Sequence, residues 1–404
     1  MRMQIGAAED EGRNADPAVA RAKMDLAKAA GFDAIRVSAI WAPGQTVVPA
    51  DQLQALKAAS AAAAFDGITI WATVMPYGSR TTPLTATARR QFASFAADMA
   101  RRVPLIPYLI IGNEPNLNRY WLPQFTDSGA DAAAPAYEAL LAQTYDAIEK
   151  ANKKELVFGG AISPHGEDVA NSIRPTHSPT AFILDMGEAY RASGRMKPIM
   201  DGLAFHPYGS PTLAHPSSTT ITIADYGKLV DLLTKAFVGT AQPGATLPIA
   251  YDEYGIESVI PPAQQKLYHG REPKTTNPVS EQEQGATYDT ALTAAACQPN
   301  VVAMFLFHVT DESDLDRWQS GVYYPNGKPK STRAVVKQTI EQIRSGAVDC
   351  TAQQAVDDGW QVVGSGPPPT DGKGKGKGKG KGKGKSSRTL PVDSGSFWQL
   401  IGNF

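Results

Sequence analysis

Only two cysteines, six histidines and a formal net charge of −1 occur in this chain of 404 residues. None of its apolar runs approaches the roughly 18 residues that a membrane span needs. The few histidines do not form the paired motifs usual in hydrolytic metal sites, which leaves metal chemistry only the looser set Asp252, Glu253, His206 and His308. A G-x-S-x-G motif is absent, so serine-hydrolase chemistry has no support. The first apolar run ends in "GAAEDEG" rather than in G-x-G-x-x-G, which argues against a dinucleotide fold. The near-zero charge hides an asymmetry. Residues 366–404 hold eight Lys or Arg against two Asp, a surplus of +6, so the remaining 365 residues carry −7. A mildly acidic body is a poor partner for nucleic acid. The opening "MRMQIGAAEDEG" turns acidic too soon for a signal peptide.

What is present is a regular alternation. From residue 3 to about 345, short β-rich runs alternate with Ala-rich stretches. Strands are expected at 3–7, 33–40, 68–75, 108–113, 156–162, 202–206, 248–253 and 301–308. Helices are expected near 17–30, 51–64, 84–102, 135–152, 179–193, 225–238, 280–297 and 331–345. Near-continuous apolar strands separated by helices indicate a parallel sheet covered on both faces. Eight such pairs predict a (β/α)8 TIM barrel over residues 1–350, in preference to a doubly wound sheet. Beyond it, "GSGPPPTDGKGKGKGKGKGKGKSS" reads as a linker and a disordered Gly-Lys-rich C-terminal tail, 351–404, able to hold anionic surfaces weakly.

In such a barrel the chemistry sits where strands end and βα loops begin. The run "LIIGNEPN" (109–116) ends the fourth strand on Asn113 and Glu114, and "AYDEYG" ends the seventh on Asp252 and Glu253. Strands four and seven are three apart in a ring of eight, so their ends face each other across the mouth. Two carboxylates ~5–5.5 Å apart suit double displacement at a sugar carbon, one attacking and one handling the proton. Arg36, pointing inward from strand two, is the cation that would steady the attacking carboxylate, and Tyr208 could donate to it. Strand eight ends at His308, followed by Asp311 and Glu312. Taken singly, each residue has an ordinary structural explanation: a helix-capping Glu114, a surface Glu253, a packed turn histidine at 206. Their joint position at the ends of four strands is the argument for function.

Four segments, "FDAIRVSAIW", "IIGNEPN", "DGLAFHPYG" and "IAYDEYG", resemble in order the motifs of strands two, four, six and seven in glycoside hydrolase clan A. That clan includes retaining family 5 cellulases and mannanases and family 39 xylosidases. The resemblance spans roughly residues 3–345. It implies a retaining β-glycoside hydrolase with Glu114 as acid/base and Glu253 as nucleophile. It further implies Asn113 on the sugar 2-hydroxyl, Arg36 steadying the nucleophile, and His206 and Tyr208 shaping the subsite of the reacting sugar. The chain departs from the pattern at "FLFHV", at "MPYGSR" and at Asp252, which precedes the nucleophile. Alternation along a strand places Asp252 on the side opposite Glu253. Turned inward instead, it would slow attack, and a non-catalytic glycan-binding barrel is the alternative reading.

Loop aromatics Trp41, Trp121, Tyr77 and Trp318 are candidates for stacking on pyranose rings. The expected partner is a carbohydrate, bound by a monomer without cofactor or metal, nucleic acid or membrane span. Cys297 and Cys350 end neighbouring helical segments at the base of the predicted barrel, where a disulfide is geometrically reasonable; two free thiols are the alternative. A bridge would point to an extracellular or cell-wall-associated protein.

Overall fold

The computed structural model describes residues 2–351 apart from residue 275. The Gly-Lys tail and its linker therefore lie outside the described residues. Eight parallel strands close into one barrel in sequence order. They are β1 (Gln4–Ala8), β2 (Ala34–Trp41), β3 (Thr69–Pro76), β4 (Tyr108–Ile111), β5 (Leu156–Ile162), β6 (Gly202–Phe205), β7 (Ile249–Tyr254) and β8 (Val301–Phe307). The helices between and after them are α1 (Pro17–Ala29), α2 (Ala50–Asp66), α3 (Ala86–Arg102), α4 (Ala133–Ala151), α5 (Pro179–Ala192), α6 (Tyr226–Phe237), α7 (Glu281–Ala296) and α8 (Ser331–Ser345). The expected TIM barrel is thus what the chain forms, with element ends displaced by a residue or two.

Local chemistry sets those ends. Ser280 and Glu283 close a reciprocal capping box at the start of α7, each side chain accepting from the other's backbone N–H. Strand β4 stops two residues short of the expected 113 because Gly112 turns the chain at φ 88°, a conformation that side chains resist.

Two apolar layers hold the barrel. Outward side chains of the strands pack under the helices in one continuous core. Inside, alanines at 34, 204, 250 and 303 leave room for Trp71, Phe158 and Phe305, whose rings lie 4.7 and 5.5 Å from Trp71. A Cβ at residue 202 would come within 2.2 Å of the Phe158 ring, which explains the glycine there. The aromatic plug fills the lower barrel, and the polar residues occupy the upper end.

Cys297, which follows α7, is bonded to Cys350, with the two Cα atoms 5.4 Å apart. The bridge lies at the base, away from the strand ends.

Candidate active site

Two irregular strands aim the key carboxylates. In β5, Gly160 and Ile162 pair with consecutive residues of β6, so Ala161 is an extra residue at φ 48°. Its carbonyl accepts the N–H of Glu114, 2.8 Å away. Glu114 itself lies at φ 39°, an uncommon conformation for a residue with a side chain. Asn116 then pins this turn, donating to the carbonyls of Ser163 and His177 at 3.2 and 3.0 Å and accepting from Ser163 N–H.

In β7 the four residues from Tyr251 to Tyr254 span only three on β8, from Met304 to Leu306. Up to that point the alternation is regular: Ala250 faces the barrel interior and Ile249 and Tyr251 face the helices. Asp252 therefore points inward, and the extra residue brings Glu253 in as well. This corrects the expectation that Asp252 turns away. Alternation holds along β7 as far as Asp252, and it is Glu253 that departs from it.

The result is one buried polar cluster. Arg36 donates from Nη1 to Glu253 Oε1 at 2.6 Å, from Nη2 to Asn113 Oδ1 at 3.2 Å and from Nε to Thr73 Oγ1 at 2.7 Å. Its Nε is also 3.3 Å from Asp252 Oδ2. Tyr208 donates its hydroxyl to Glu253 Oε2 at 3.2 Å. The fully buried ring of His206 has Nδ1 at 3.1 Å from Glu114 Oε1 and 3.4 Å from Glu253 Oε2, and Nε2 at 3.3 Å from Asp252 Oδ2. Two oxygens at 3.1 and 3.4 Å from one nitrogen can be no farther apart than the sum, 6.5 Å. The two glutamates expected to converge do so.

Electrostatics follow from this packing. Burial alone would lower the pKa of His206, but the charges of Glu253 and Asp252, with hydrogen bonds to Asp252 and Glu114, carry it up to about 10. The ring is an imidazolium at neutral pH, with both nitrogens as donors. Burial likewise opposes the charge on Asp252, yet His206 and Arg36 hold its carboxyl below the usual range. Arg36 stays charged, since its carboxylate neighbours outweigh its own burial. Burial and the adjacent Glu253 push the Tyr208 hydroxyl up, so it remains a donor. With both His206 nitrogens facing carboxylates, the ring offers no lone pair to a metal.

Above the cluster opens a cavity of about 530 Å³ at the C-terminal end of the barrel. Glu253, Arg36 and Asn113 form part of its wall. Glu114 lies behind them, with 8% of its side chain exposed, joined to Glu253 through His206. Trp318, also in the wall, packs against Tyr208 and Phe307 at 5.8 and 5.5 Å between ring centres. The other aromatic candidates are elsewhere. Trp41 is fully buried, its edge against Phe92 and its N–H on Gln45 O. Trp121 is buried against Tyr137. Tyr77 is 77% exposed and not part of the wall. Large apolar rings close to a strand end found the core before they found the cavity.

Several wall residues were missed from sequence. Glu9 and Asp10 follow β1 directly in "AAED", a strand end equivalent to those that supply the other candidates. Arg119 and Tyr120 line the cavity where the adjacent Trp121 does not, because the turn closed by Trp121 N–H on Leu117 O sends that indole inward. Thr73, an inward rung of β3 that receives Arg36, carried no sequence signal at all. His308 and Glu312 reach the wall, whereas Asp311 is consumed by a buried contact with Lys330 at 2.7 Å. Six wall carboxyl groups, those of Glu9, Asp10, Glu253, Glu257, Glu312 and Asp316, face the three guanidinium groups of Arg36, Arg119 and Arg317; burial pushes Glu257 up to about 8, which leaves five of the six to carry charge at neutral pH.

No protein-family model matches the chain, and no curated protein sequence does either. Solved structures do resemble it. A family 39 glycoside hydrolase from Bacteroides cellulosilyticus WH2 superposes with a TM-score of 0.59 at 17% identity, over 84% of this chain and 63% of its own. This chain thus spans less than two thirds of that enzyme. A GH5_18 protein from Bifidobacterium longum subsp. longum, in complex with Manb1-4GlcNAc, gives 0.58 at 14% identity over 90% and 89% of the two chains. A GH5_18 protein from Streptomyces cattleya, in complex with GlcNAc, gives 0.57 at 15% over 85% and 81%. At these identities the likeness establishes the fold, a barrel of the kind found in clan A glycoside hydrolases.

Proposed function

We propose that the protein is a retaining β-glycoside hydrolase acting on an oligo- or polysaccharide. The observation that carries this reading is the His206 ring, which holds Glu114 and Glu253 within 6.5 Å of each other beside the cavity. This upper limit between the facing oxygens accommodates the ~5–5.5 Å between carboxyl groups of retaining enzymes and only touches the lower edge of the ~6.5–9.5 Å of inverting ones, which must fit a water. Glu253, with Arg36 and Tyr208 against it, attacks the anomeric carbon as the glycosidic C–O bond breaks. The leaving oxygen takes its proton from Glu114. In the second half, Glu114 takes a proton from water, the water oxygen bonds to the anomeric carbon, and the ester to Glu253 breaks. Asn113, held by Arg36 at the wall, is placed to bind the 2-hydroxyl, a contact that strengthens in the oxocarbenium-like state. Trp318 supplies a stacking face.

The excess of wall carboxylates over guanidiniums favours uncharged sugars over uronates. Manb1-4GlcNAc, bound in the family 5 structure, is therefore a sensible first disaccharide to test. The disulfide supports an exported, extracellular or cell-wall-associated protein, and a monomer accounts for the site without a second chain.

The test is hydrolysis of aryl β-glycosides, β-glucan, mannan and xylan, with product anomers followed by NMR. A 2-deoxy-2-fluoro aryl glycoside should leave a covalent sugar on Glu253, located by peptide mass spectrometry. Glycan binding with no turnover and no label would instead establish the non-catalytic barrel.

A further inference from the structure

Asp252 is the carboxylate that the reaction above does not use. It is fully buried, and one of its oxygens, Oδ2, lies 3.3 Å from both His206 Nε2 and Arg36 Nε. The other, Oδ1, is buried without a hydrogen-bond partner. An orphaned buried carboxylate oxygen is costly, so the position is not explained by stability alone. Its two partners are the groups that hold both glutamates: His206 touches Glu114 and Glu253, and Arg36 touches Glu253 and Asn113. Three carboxylates thus face two cations, and Asp252 is the only one of the three that contacts both cations through a single atom.

Building on the hydrolase reading, we infer that Asp252 is a positioning residue of the reaction. It anchors the far edge of the imidazolium and the guanidinium so that their near edges stay fixed on Glu114 and Glu253. It makes no contact with substrate. The charged groups facing His206 are Glu114 from the turn after β4 and Asp252 and Glu253 from β7, with Tyr208 packed edge-on at 6.2 Å. Of these, Asp252 is the one whose charge does not change or become covalently capped during turnover. It therefore keeps the ring protonated while Glu114 alternates between acid and base and while Glu253 is an ester. The presence of this acid beside the nucleophile is then a support for attack rather than a hindrance.

Asp252→Asn is the appropriate substitution. The amide oxygen can still accept from both cations, its NH2 takes the place of the orphaned Oδ1, and only the charge is lost. Removing an opposite charge at this distance should move the titration of His206 down by ~1–3 pH units. Histidine-selective NMR on the full chain, followed as a pH titration, should show His206 losing its second proton at a lower pH in Asp252→Asn than in the wild type, where the ring is held up to about 10. With aryl glycoside, kcat should fall ~10–100-fold with KM changed less than threefold, and the alkaline limb of the pH–rate profile should move to lower pH. Adding Asp252→Asn to His206→Gln should slow the enzyme by a smaller factor than Asp252→Asn slows the wild type, since only the arm through Arg36 is then left to lose. A higher kcat in Asp252→Asn would overturn the inference and mark the residue as a brake. An unshifted His206 titration would overturn it too, and that measurement does not depend on the protein being an active hydrolase. A wild type with no turnover at all would sink the hydrolase reading instead.

Discussion

Replacing Arg36 by glutamine is the most demanding perturbation of the site. The guanidinium bonds three side chains from three different elements, Thr73 in β3, Asn113 after β4 and Glu253 in β7, and lies 3.3 Å from Asp252. Without it, three carboxylates face His206 alone. Stripping the partner from a buried ion pair costs ~3–5 kcal/mol, and this pair is made at 2.6 Å with Arg36 only 5% exposed. The cost should depend on pH with a definite sign. Arg36 is one of the two cations holding the Asp252 carboxyl below its usual range against burial. Once it is removed, burial, the largest influence on this carboxyl, raises the folded-state pKa past the unfolded value of ~3.9 and into the range above pH 5. The penalty is then largest well above that range and shrinks as a proton becomes available. Urea unfolding followed by tryptophan fluorescence should give a larger deficit for Arg36→Gln at pH 8 than at pH 5. Arg36→Lys should recover part of the stability, because a cation is restored. It should not recover the rate: one ammonium nitrogen cannot span β3, the turn after β4 and β7 together, and a misplacement of about 1 Å costs ~10²-fold. Equal deficits at the two pH values, or a lysine variant with wild-type kcat/KM, would refute this account.

Three further outcomes follow from the packing. Converting Cys297 and Cys350 to serine opens a loop of sequence separation 53 and should cost ~4 kcal/mol in urea unfolding, with kcat unaltered because the bridge is at the base. Trp41→Ala should lose ~3–5 kcal/mol of stability, whereas Trp318→Ala should leave the unfolding midpoint nearly in place and raise KM at least fivefold. Burial pushes the Glu155 carboxyl up to about 7, and its Oε2 has no partner, so its charge costs stability that is untouched below ~4.5 and lost as pH rises through 7. Glu155→Gln should therefore stabilise by ~1 kcal/mol at pH 8 and change little at pH 4.5.

The order and number of elements were legible because apolar runs such as "ITIWATVM" and "VVAMFLFH" have the length and composition of strands buried on both faces. The strand-end logic reached Arg36, Asn113, Glu114, His206, Tyr208 and Glu253, which the structure gathers in one cluster. It went astray where geometry breaks the period. Nothing in "IAYDEYG" announces an extra residue in β7, so alternation was applied with the wrong member turned away. Trp41 and Trp121 were chosen for chemistry that any aromatic side chain can do, while burial is what a large ring near a strand end gains most from. Glu9 and Asp10 stand at the end of β1 in "GAAEDEG", where the acids read equally well as the start of a polar loop.

The added residue in β7 has an evolutionary corollary. Deleting position 252 or 253 would restore the strand's phase and leave one inward acid at the rim where there are now two. How many acids reach this rim is thus set by the phase of the strand as well as by residue type. The one extra residue lets neighbouring acids serve the same interior, Glu253 lining the cavity and Asp252 buried beneath it.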